Sequence, residues 1–328
     1  MLRPLFFVNN FSKEGGMSRK IKVGGAQLGP IQKADTKESV VVRMLRLLDQ
    51  AHFQKCHFIV FPELALTTFF PRYYIQDSAD FERLYEQEMP NDVTRPLFEK
   101  AAEYGIGFYL GYAEIDGSGD KNRYFNSSIL VDQSGKTIGK YRKIHLPGHA
   151  KYDPERTFQH LEKYYFEPGD FGFPVWRMMG GIFGMCLCND RRWPETYRVM
   201  GLQGVEFIAL GYNTPSTNSQ RPEEGPKERL FHSDLSVQAG AYQNATFVAA
   251  IAKAGNEDGN PLVGGSIIVH PSGKILARAK TENDELITAV CDLDDTLFYK
   301  ETIFDFKRHR RPEHYGRIVE QVGVIEPD

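Results

Sequence analysis

The chain has 328 residues, of which 41% are hydrophobic and 25% are charged, with 40 Lys and Arg residues against 43 Asp and Glu residues. This composition excludes a disordered chain, a collagen-like fibre and a coiled coil, and it predicts an ordinary globule with a sizeable core. The formal net charge of -3 supplies no overall positive field, so neither nucleic acid nor a membrane surface is an expected partner.

The amino-terminal segment and the cysteines bear on domain organisation and localisation. Residues 1–16 show little pattern and are expected to be a flexible extension, whereas 17–328 are expected to form a single domain with a C-terminal tail. Four cysteines are too few for a disulfide scaffold, and no apolar run approaches the roughly 18 residues of a membrane span. These features predict reduced thiols and a cytoplasmic location.

Hydrophobic periodicity in the first half predicts alternating helices and buried strands. The predicted elements are, in chain order, a helix over 38–54, a strand over 58–64, a helix over 95–104, a strand over 105–120 and a hairpin over 127–143. The hairpin turns at a Ser-Gly-Lys sequence, in which Gly135 can supply the positive φ of a tight connection.

The second half repeats this order. Its matching elements are a helix over 193–202, a strand over 207–213, a helix over 232–243, a strand over 244–259 and a hairpin over 265–280 with the same Ser-Gly-Lys turn. Helices that alternate with apolar strands in two similar halves predict an α/β fold, namely a four-layer α-β-β-α sandwich. Two tandem α/β domains are the alternative, although no Pro/Gly/Ser-rich or charged linker separates the halves.

Three polar residues stand at predicted strand ends. Cys188 lies between an apolar strand and a helix that Pro194 suits for its first turn, where backbone N–H groups and the positive helix end would lower the thiol pKa. Glu63 ends a buried strand, where a carboxylate is costly unless it has a partner or a task. Lys143 follows the strand of the first hairpin. Strand ends meet at one crevice in α/β folds, so a nucleophile, a base and a cation could converge there.

The motifs around these residues resemble the Glu-Lys-Cys signature of the nitrilase superfamily of carbon–nitrogen hydrolases. They read FPEL, KYRKIHLPG and CLCNDRRWPE, and the resemblance covers residues 18–320. The longer strings FPELALTTFFP, RKIHLPGH, FQHLEKYYFEPGD and CNDRRWPE are most similar to those of N-carbamoyl-D-amino acid amidohydrolases. The fold that the resemblance implies is the same α-β-β-α sandwich.

The resemblance implies a role for each of the three residues. Glu63 would be the general base, Cys188 the nucleophile, and Lys143 the cation that stabilises the oxyanion together with the backbone N–H of Asn189. Glu162 matches a second glutamate that lies beside the lysine and helps to position water or substrate. The implied substrate is a small N-carbamoyl-D-amino acid, and no metal or organic cofactor is expected.

Two histidines fall within the same motifs. His145 and His160 would hydrogen-bond the catalytic carboxylates or act as structural histidines. Both could also be imagined in a zinc site with Cys186 and Cys188, but a C-x-C sequence on one strand lacks the usual zinc-ligand spacing.

Substrate binding is expected from polar residues close to Cys188. Arg191 or Arg192 could bind the substrate carboxylate through two parallel hydrogen bonds, although neighbouring residues rarely face the same way. Asn213 and Thr214 would offer further hydrogen bonds to the carboxylate or ureido group.

Two further segments are expected to bear on substrate preference. Residues 215–230 are polar and punctuated by Pro and Gly, which predicts a long surface loop near the pocket, and the aromatic residues of 67–74 could line an apolar pocket or simply pack. The resemblance also implies a homodimer or homotetramer.

Two alternatives to the hydrolysis of N-carbamoyl-D-amino acids stay open. One is a β-ureidopropionase-like or aliphatic amidase with the same three residues, and the other is a non-catalytic binding protein that kept the fold.

Overall fold

The structure is a computed structural model that describes residues 19–156, 158–218 and 220–327. The predicted extension over 1–16 lies outside the described residues. The strands are β1 Lys20–Gln27, β2 Phe58–Val60, β3 Gly107–Asp116, β4 Arg123–Val131, β5 Thr137–Arg142, β6 Val175–Met178, β7 Gly181–Leu187, β8 Phe207–Tyr212, β9 Phe247–Ala252, β10 Ala254–Glu257, β11 Asn260–Val263, β12 Ile267–Val269, β13 Ile275–Arg278 and β14 Glu285–Asp292.

Longer and shorter helices connect these strands. They are α1 Lys37–Phe53, α2 Ser78–Glu82, α3 Arg95–Tyr104, α4 Glu162–Tyr165, α5 Pro194–Leu202, α6 Pro226–Gln243, α7 Asp295–Glu301, α8 Phe306–His309 and α9 Gly316–Glu320, with 3₁₀ turns at Phe70–Arg72, Cys188–Arg192 and Pro312–His314. Among the described helices, none has both the length and the apolar character needed to cross a membrane.

Two six-stranded sheets carry the repeat that the sequence predicts. Their strand orders are β14-β1-β2-β3-β4-β5 and β13-β12-β9-β8-β7-β6. In the first sheet β1, β2 and β3 are parallel and β4 and β5 antiparallel, and β7, β8, β9, β12 and β13 repeat this pattern in the second. Both hairpins turn at a glycine of positive φ, 81° at Gly135 and 80° at Gly273.

Helices cover the outer face of each sheet, and the inner faces pack together. Side chains of α1 and α3 share a buried cluster with one face of the first sheet, whereas α5 and α6 pack on the second. Between the sheets, the Phe58 ring of β2 lies edge-on to Phe183 at 5.5 Å and to Phe207 at 5.8 Å. The prediction of an α/β four-layer α-β-β-α sandwich is confirmed.

Two local elements differ from the sequence prediction. Helix α6 begins at Pro226 rather than near 232, so the expected loop over 215–230 is shorter, because Glu228 reaches back to the N–H of Gly225 and caps the helix. The strand predicted over 244–259 is interrupted at Lys253. The ammonium of this residue is buried and donates to the carbonyl of Thr67 at 2.7 Å. Beyond it, β10 pairs with β11 in a separate two-stranded sheet.

Candidate active site

Glu63 enters the space between the sheets just after β2. The backbone of Pro62 and Glu63 passes against Gly111 of β3 and Gly211 of β8, and a Cβ atom on either glycine would lie 2.5–2.7 Å from it. Only glycine permits this close approach. The carboxylate is therefore held in a fully buried position by strands from both halves.

The Glu63 carboxylate accepts hydrogen bonds on both oxygens. Oε1 accepts from Asn126 Nδ2 at 2.8 Å and from Lys143 Nζ at 2.7 Å. Oε2 accepts from the backbone N–H of Asn213 at 2.9 Å, and the Asn213 side-chain amide donates to the Glu63 carbonyl at 2.9 Å. These bonds fix the orientation of the carboxylate.

Lys143 links Glu63 and Glu162, the two glutamates that the sequence analysis predicts to be functional. It follows β5 directly, and its N–H donates to the carbonyl of Asn126 at 2.8 Å. Its fully buried ammonium donates to Glu63 and to Glu162, and the second oxygen of Glu162 lies 3.1 Å from Nε2 of His160. The four side chains form one continuous hydrogen-bonded chain.

Cys188 occupies a strained turn after β7. Its φ of 44° is unusual for a residue with a side chain, and the 3₁₀ turn Cys188–Arg192 and helix α5 follow at once. The thiol is 4% exposed and donates to the carbonyl of Asn213 at 3.3 Å. A strained turn between a strand and a helix is a typical position for a nucleophile, because it holds the side chain away from the helix that follows.

Asp190 braces this turn, and its role is not evident from the sequence. One carboxylate oxygen accepts from the Tyr141 hydroxyl at 2.7 Å and from the N–H of Leu187 at 3.2 Å. The other accepts from the N–H of His145 at 2.9 Å and lies 2.8 Å from Nδ1 of the same histidine. His145 thus contacts Asp190 and not Glu63 or Glu162, and it supports the turn from outside.

The ionisation of the glutamates follows from burial and from the central ammonium. Burial raises the pKa of Glu63 against the opposing charge of Lys143, and the charge of Glu162 raises it further. Burial also disfavours the ionised form of Glu162, but Lys143 and His160 outweigh it and lower the pKa of that carboxyl. The two carboxylates therefore differ, one suited to take up a proton and the other to remain ionised.

The thiol and the ammonium are shifted in the same direction. Burial and the charge of Glu63 raise the pKa of Cys188, although Lys143 opposes them. Burial favours the neutral form of Lys143, yet the surrounding anionic groups raise its pKa. The expectation of a lowered thiol pKa is wrong, because complete burial beside a carboxylate outweighs the helix end. The resting site thus favours a neutral thiol beside a base.

Three potential metal ligands meet in this site. One donor atom from each of Glu63, Glu162 and Cys188 lies within 4.8 Å of the others. The ammonium of Lys143 already bonds both carboxylates from within this group, so the positive charge that would balance them is part of the chain.

The two neighbouring arginines face different environments. Arg191 is 1% exposed, and its guanidinium donates to the carbonyl of Cys188 at 2.6 Å, to Thr214 Oγ1 at 2.8 Å and to Ser233 Oγ at 3.2 Å. These bonds occupy all three nitrogens and hold the turn, so the geometry does not favour Arg191 as the carboxylate ligand. Arg192 is exposed and contacts the side chain of Asn189 at 3.3 Å.

A cavity of about 550 Å³ opens beside the turn, and its wall includes Asn189, Arg192, His160 and Arg229. Asn213 and Thr214, predicted as substrate ligands, lie deeper and bond Glu63 and Arg191. The buried Oδ1 of Asn213 has no hydrogen-bond partner within the described chain, which leaves one acceptor for a substrate amide.

Several supporting residues are absent from the sequence-based set. They are Asn126, Asp190 and Arg229. Each contacts or faces the site, but the sequence around it does not show in which direction its side chain points. A buried polar residue within a strand was the available signal for Asn126, and membership of the CNDRRWPE string was the signal for Asp190. The aromatic residues of 67–74 mainly pack, since Phe70 contacts the rings of Tyr85 and other buried aromatics.

Comparisons with known proteins identify the family of this chain and several of its relatives. A family model described as carbon-nitrogen hydrolase matches residues 22–301. An N-carbamoylputrescine amidase of Arabidopsis thaliana is 27% identical over 94% of this chain and 99% of its own length. A citrullinase of Francisella tularensis subsp. tularensis is 30% identical over 67% of this chain and 72% of its own. The crystal structure of a carbon-nitrogen hydrolase from Helicobacter pylori G27 has the same fold, with a TM-score of 0.78 at 23% identity, over 93% of this chain and 99% of that one.

Proposed function

Because this chain belongs to the carbon-nitrogen hydrolase family of the nitrilase superfamily, we propose that it hydrolyses N-carbamoyl-D-amino acids to the D-amino acid, carbon dioxide and ammonia. The coarser activity, that of an amidohydrolase acting on C–N bonds, follows from the family and from the similarity to amidases. The observation that carries the proposal is the buried Lys143 ammonium, which bridges Glu63 and Glu162 beside Cys188.

In the first half of the reaction, Cys188 Sγ attacks the ureido carbonyl carbon while Glu63 takes the thiol proton. A carboxylate whose pKa is raised is matched to this proton transfer. The negative oxygen of the tetrahedral intermediate is stabilised by the Lys143 ammonium and the N–H of Asn189. Glu63 then returns the proton to the terminal nitrogen, which leaves as ammonia.

In the second half, the carbamoyl thioester on Cys188 reacts with water. Glu63 removes a proton from the water, and Glu162 keeps Lys143 in place for the second oxyanion. The carbon–sulfur bond breaks and Cys188 recovers its proton. The released carbamate then decomposes to carbon dioxide and the free amino acid. No organic cofactor or metal takes part in these steps.

The cavity favours a substrate that carries a carboxylate. Arg192, Arg229 and Lys163 line it against one carboxylate among the lining residues, that of Glu224, which lies 3.9 Å from Arg229. A guanidinium binds a carboxylate through charge-assisted hydrogen bonds, and Arg192 is the one of these two arginines that faces no carboxylate of the lining. A substrate with a free amine, such as N-carbamoylputrescine, would instead bring a cation towards these arginines. The compounds named for the two relatives both carry a ureido group, which supports a ureido substrate in general.

The choice of the D-enantiomer rests on the resemblance of the longer sequence strings. FPELALTTFFP, RKIHLPGH and CNDRRWPE surround the site and resemble those of N-carbamoyl-D-amino acid amidohydrolases. The β-ureidopropionase-like or amidase alternative keeps the same catalytic residues and differs in the acyl pocket. A non-catalytic binding role is disfavoured because all three catalytic positions are filled.

We further propose that the protein is cytoplasmic and assembles as a homodimer or homotetramer.

The test is product release by the purified chain and its Cys188→Ala variant. Ammonia and free amino acid are measured from N-carbamoyl-D-phenylalanine, N-carbamoyl-L-phenylalanine, N-carbamoyl-β-alanine and N-carbamoylputrescine. We expect turnover of the D-compound only, and none in the variant. Turnover of N-carbamoyl-β-alanine or N-carbamoylputrescine in its place would move the protein to another ureido substrate. No release from any of the four would refute the carbamoylase proposal.

A further inference from the structure

A buried ion pair that the proposed mechanism does not use lies in the second half of the chain. Lys253 is fully buried and Glu257 is 2% exposed, and the ammonium lies 2.9 Å from the carboxylate. Lys253 follows β9 directly, and Glu257 ends β10. The cost of removing two charges from water offsets much of their attraction, so stability alone does not explain such a pair. It can instead fix the positions of the segments around it.

The carboxylate of this pair binds segments that follow two strands of the first sheet. Its Oε1 accepts from the N–H of Ile31, which comes after β1, at 3.1 Å. Its Oε2 accepts from the N–H of Phe69 at 2.7 Å and from the hydroxyl of Thr68 at 3.2 Å, and both residues come after β2. With the ammonium of Lys253, the two oxygens of Glu257 have four donors. A glutamine could not accept all of them, because its amide has only one oxygen.

The ammonium of the pair holds the same segment after β2. Lys253 Nζ donates to the carbonyl of Thr67 at 2.7 Å while it bonds Glu257. The consecutive residues 67–69 are therefore fixed through a carbonyl, a hydroxyl and an N–H. They begin four residues after Glu63, so the pair constrains the chain that leaves the proposed general base.

Phe69 extends this constraint to the second glutamate of the site. Its ring lies edge-on to the ring of His160, with 5.7 Å between the ring centroids and an angle of 77° between the planes. Nε2 of His160 lies 3.1 Å from Oε1 of Glu162, and the other oxygen of Glu162 accepts from the ammonium of Lys143. The side chain that the pair holds thus packs against the histidine that orients Glu162.

A backbone hydrogen bond supports the same connection. The N–H of Leu161, which stands between His160 and Glu162, donates to the carbonyl of Pro71 at 2.7 Å. Pro71 comes two residues after Phe69. The segment that the pair holds therefore meets the Glu162 segment at two points, one between rings and one between backbones.

We propose that the buried pair positions Phe69 and, through the ring of His160, aligns Glu162. Both members of the pair are therefore positioning residues, which act on the reaction without contact with the substrate. This inference rests on the proposed function, in which Glu162 keeps Lys143 in place for the oxyanion. Because the oxyanion forms only as the reaction proceeds, loss of this alignment should lower kcat and leave KM nearly unchanged.

The first test compares Phe69→Leu with Phe98→Leu. Both rings are buried and both have an edge-on aromatic contact, but that of Phe98 is with Phe108 at 4.9 Å, on the outer face of the first sheet. The two variants should therefore lose similar stability, measured as Tm. We expect kcat to fall roughly 10- to 100-fold in Phe69→Leu, with KM within about 2-fold, and to stay near the wild-type value in Phe98→Leu. Equal kcat in the two variants overturns the inference.

The second test separates positioning from stability by removal of one charge or both. Glu257→Gln leaves the Lys253 ammonium buried without its carboxylate, so we expect lower Tm and lower kcat. The double variant Lys253→Met/Glu257→Gln has no unpaired charge and should regain most of the Tm. Its kcat should stay roughly 10- to 100-fold below that of the wild type, because one amide oxygen cannot hold the three remaining donors. A double variant that regains kcat together with Tm would show a purely structural pair.

A labelling measurement keeps this inference separable from the proposed function. The variants are compared on whichever of the four ureido compounds the wild type turns over. If it turns over none, the proposed function is refuted, and the inference is tested on the thiol of Cys188, whose pKa responds to both Lys143 and Glu162. Iodoacetamide labelling of Cys188 is followed by peptide mass spectrometry across a range of pH. We expect its midpoint to move in Phe69→Leu and not in Phe98→Leu, and equal midpoints refute the positioning role.

Discussion

Two adjacent arginines, replaced one at a time by methionine, should have different effects on stability and kinetics. Arg191 and Arg192 follow the nucleophile, and the sequence allows either to bind the substrate. In the structure Arg191 is enclosed and Arg192 faces the cavity. We therefore expect Arg191→Met to lower stability and kcat, and Arg192→Met to raise KM while Tm and kcat change little.

The magnitude for Arg191 follows from its three hydrogen bonds to Cys188, Thr214 and Ser233. Methionine leaves three buried acceptors unpaired, and removal of one charged partner from a buried network costs about 3–5 kcal/mol, so we expect a loss of that size in the free energy of unfolding. An unfolding entropy of about 2.1 cal/mol/K per residue over 328 residues converts this loss into a Tm lowered by roughly 4–7 °C.

The assay combines thermal unfolding followed by circular dichroism with steady-state kinetics on N-carbamoyl-D-phenylalanine. For Arg192→Met we expect KM to rise roughly 10- to 100-fold, which corresponds to the loss of charge-assisted bonds to a carboxylate. For Arg191→Met we expect kcat to fall at least about 10-fold as the turn at Cys188 loosens. The reasoning is refuted if Arg191→Met keeps its Tm and kcat but raises KM, since that pattern would place Arg191 against the substrate.

Three further predictions concern ionisation and assembly. The proposed mechanism requires ionised Glu63, so we expect activity to fall as the pH drops through the raised pKa of this residue. Glu162→Gln removes a charge that raises this pKa and should move the acid limb of kcat/KM to lower pH; an unmoved limb would contradict the coupling. Iodoacetamide should label Cys188 at pH 7 no faster than free cysteine and should react faster as the pH rises, whereas rapid labelling at pH 7 would show a lowered thiol pKa. Val322 and Ile325 are exposed near the C-terminus, and Val322→Glu should reduce the mass of the proposed oligomer in light scattering; an unchanged mass would place the interface elsewhere.

The fold was largely predictable because its information is local and repeated. Periodicity placed α1 and α3 to within a residue, and the two Ser-Gly-Lys turns marked equivalent hairpins. Helix α6 began earlier than predicted because its cap depends on how Glu228 folds back, which periodicity does not report. The interruption at Lys253 likewise reflects a change of pairing partner, because β10 pairs with β11 in a separate sheet, and periodicity does not report which strands pair.

The sequence also placed the three proposed catalytic residues at strand ends, but it did not report their environment. A strand end places Glu63, Lys143 and Cys188 at the same edge of the fold whatever their neighbours are. The direction of the Cys188 pKa shift depends on how deeply the thiol is buried and on its distance from Glu63, and both are set by the packing of the two sheets.

The sequence by itself determined the alternating elements, the internal repeat and the choice of Glu63, Lys143 and Cys188 as the proposed catalytic residues, because each depends on periodicity or on a short motif. Only the tertiary structure decided that Arg191 holds the turn while Arg192 faces the cavity. Adjacent residues differ in direction by a backbone rotation that one motif does not specify, and the partners of Arg191, Thr214 and Ser233, come from segments that lie beside it only after the chain has packed.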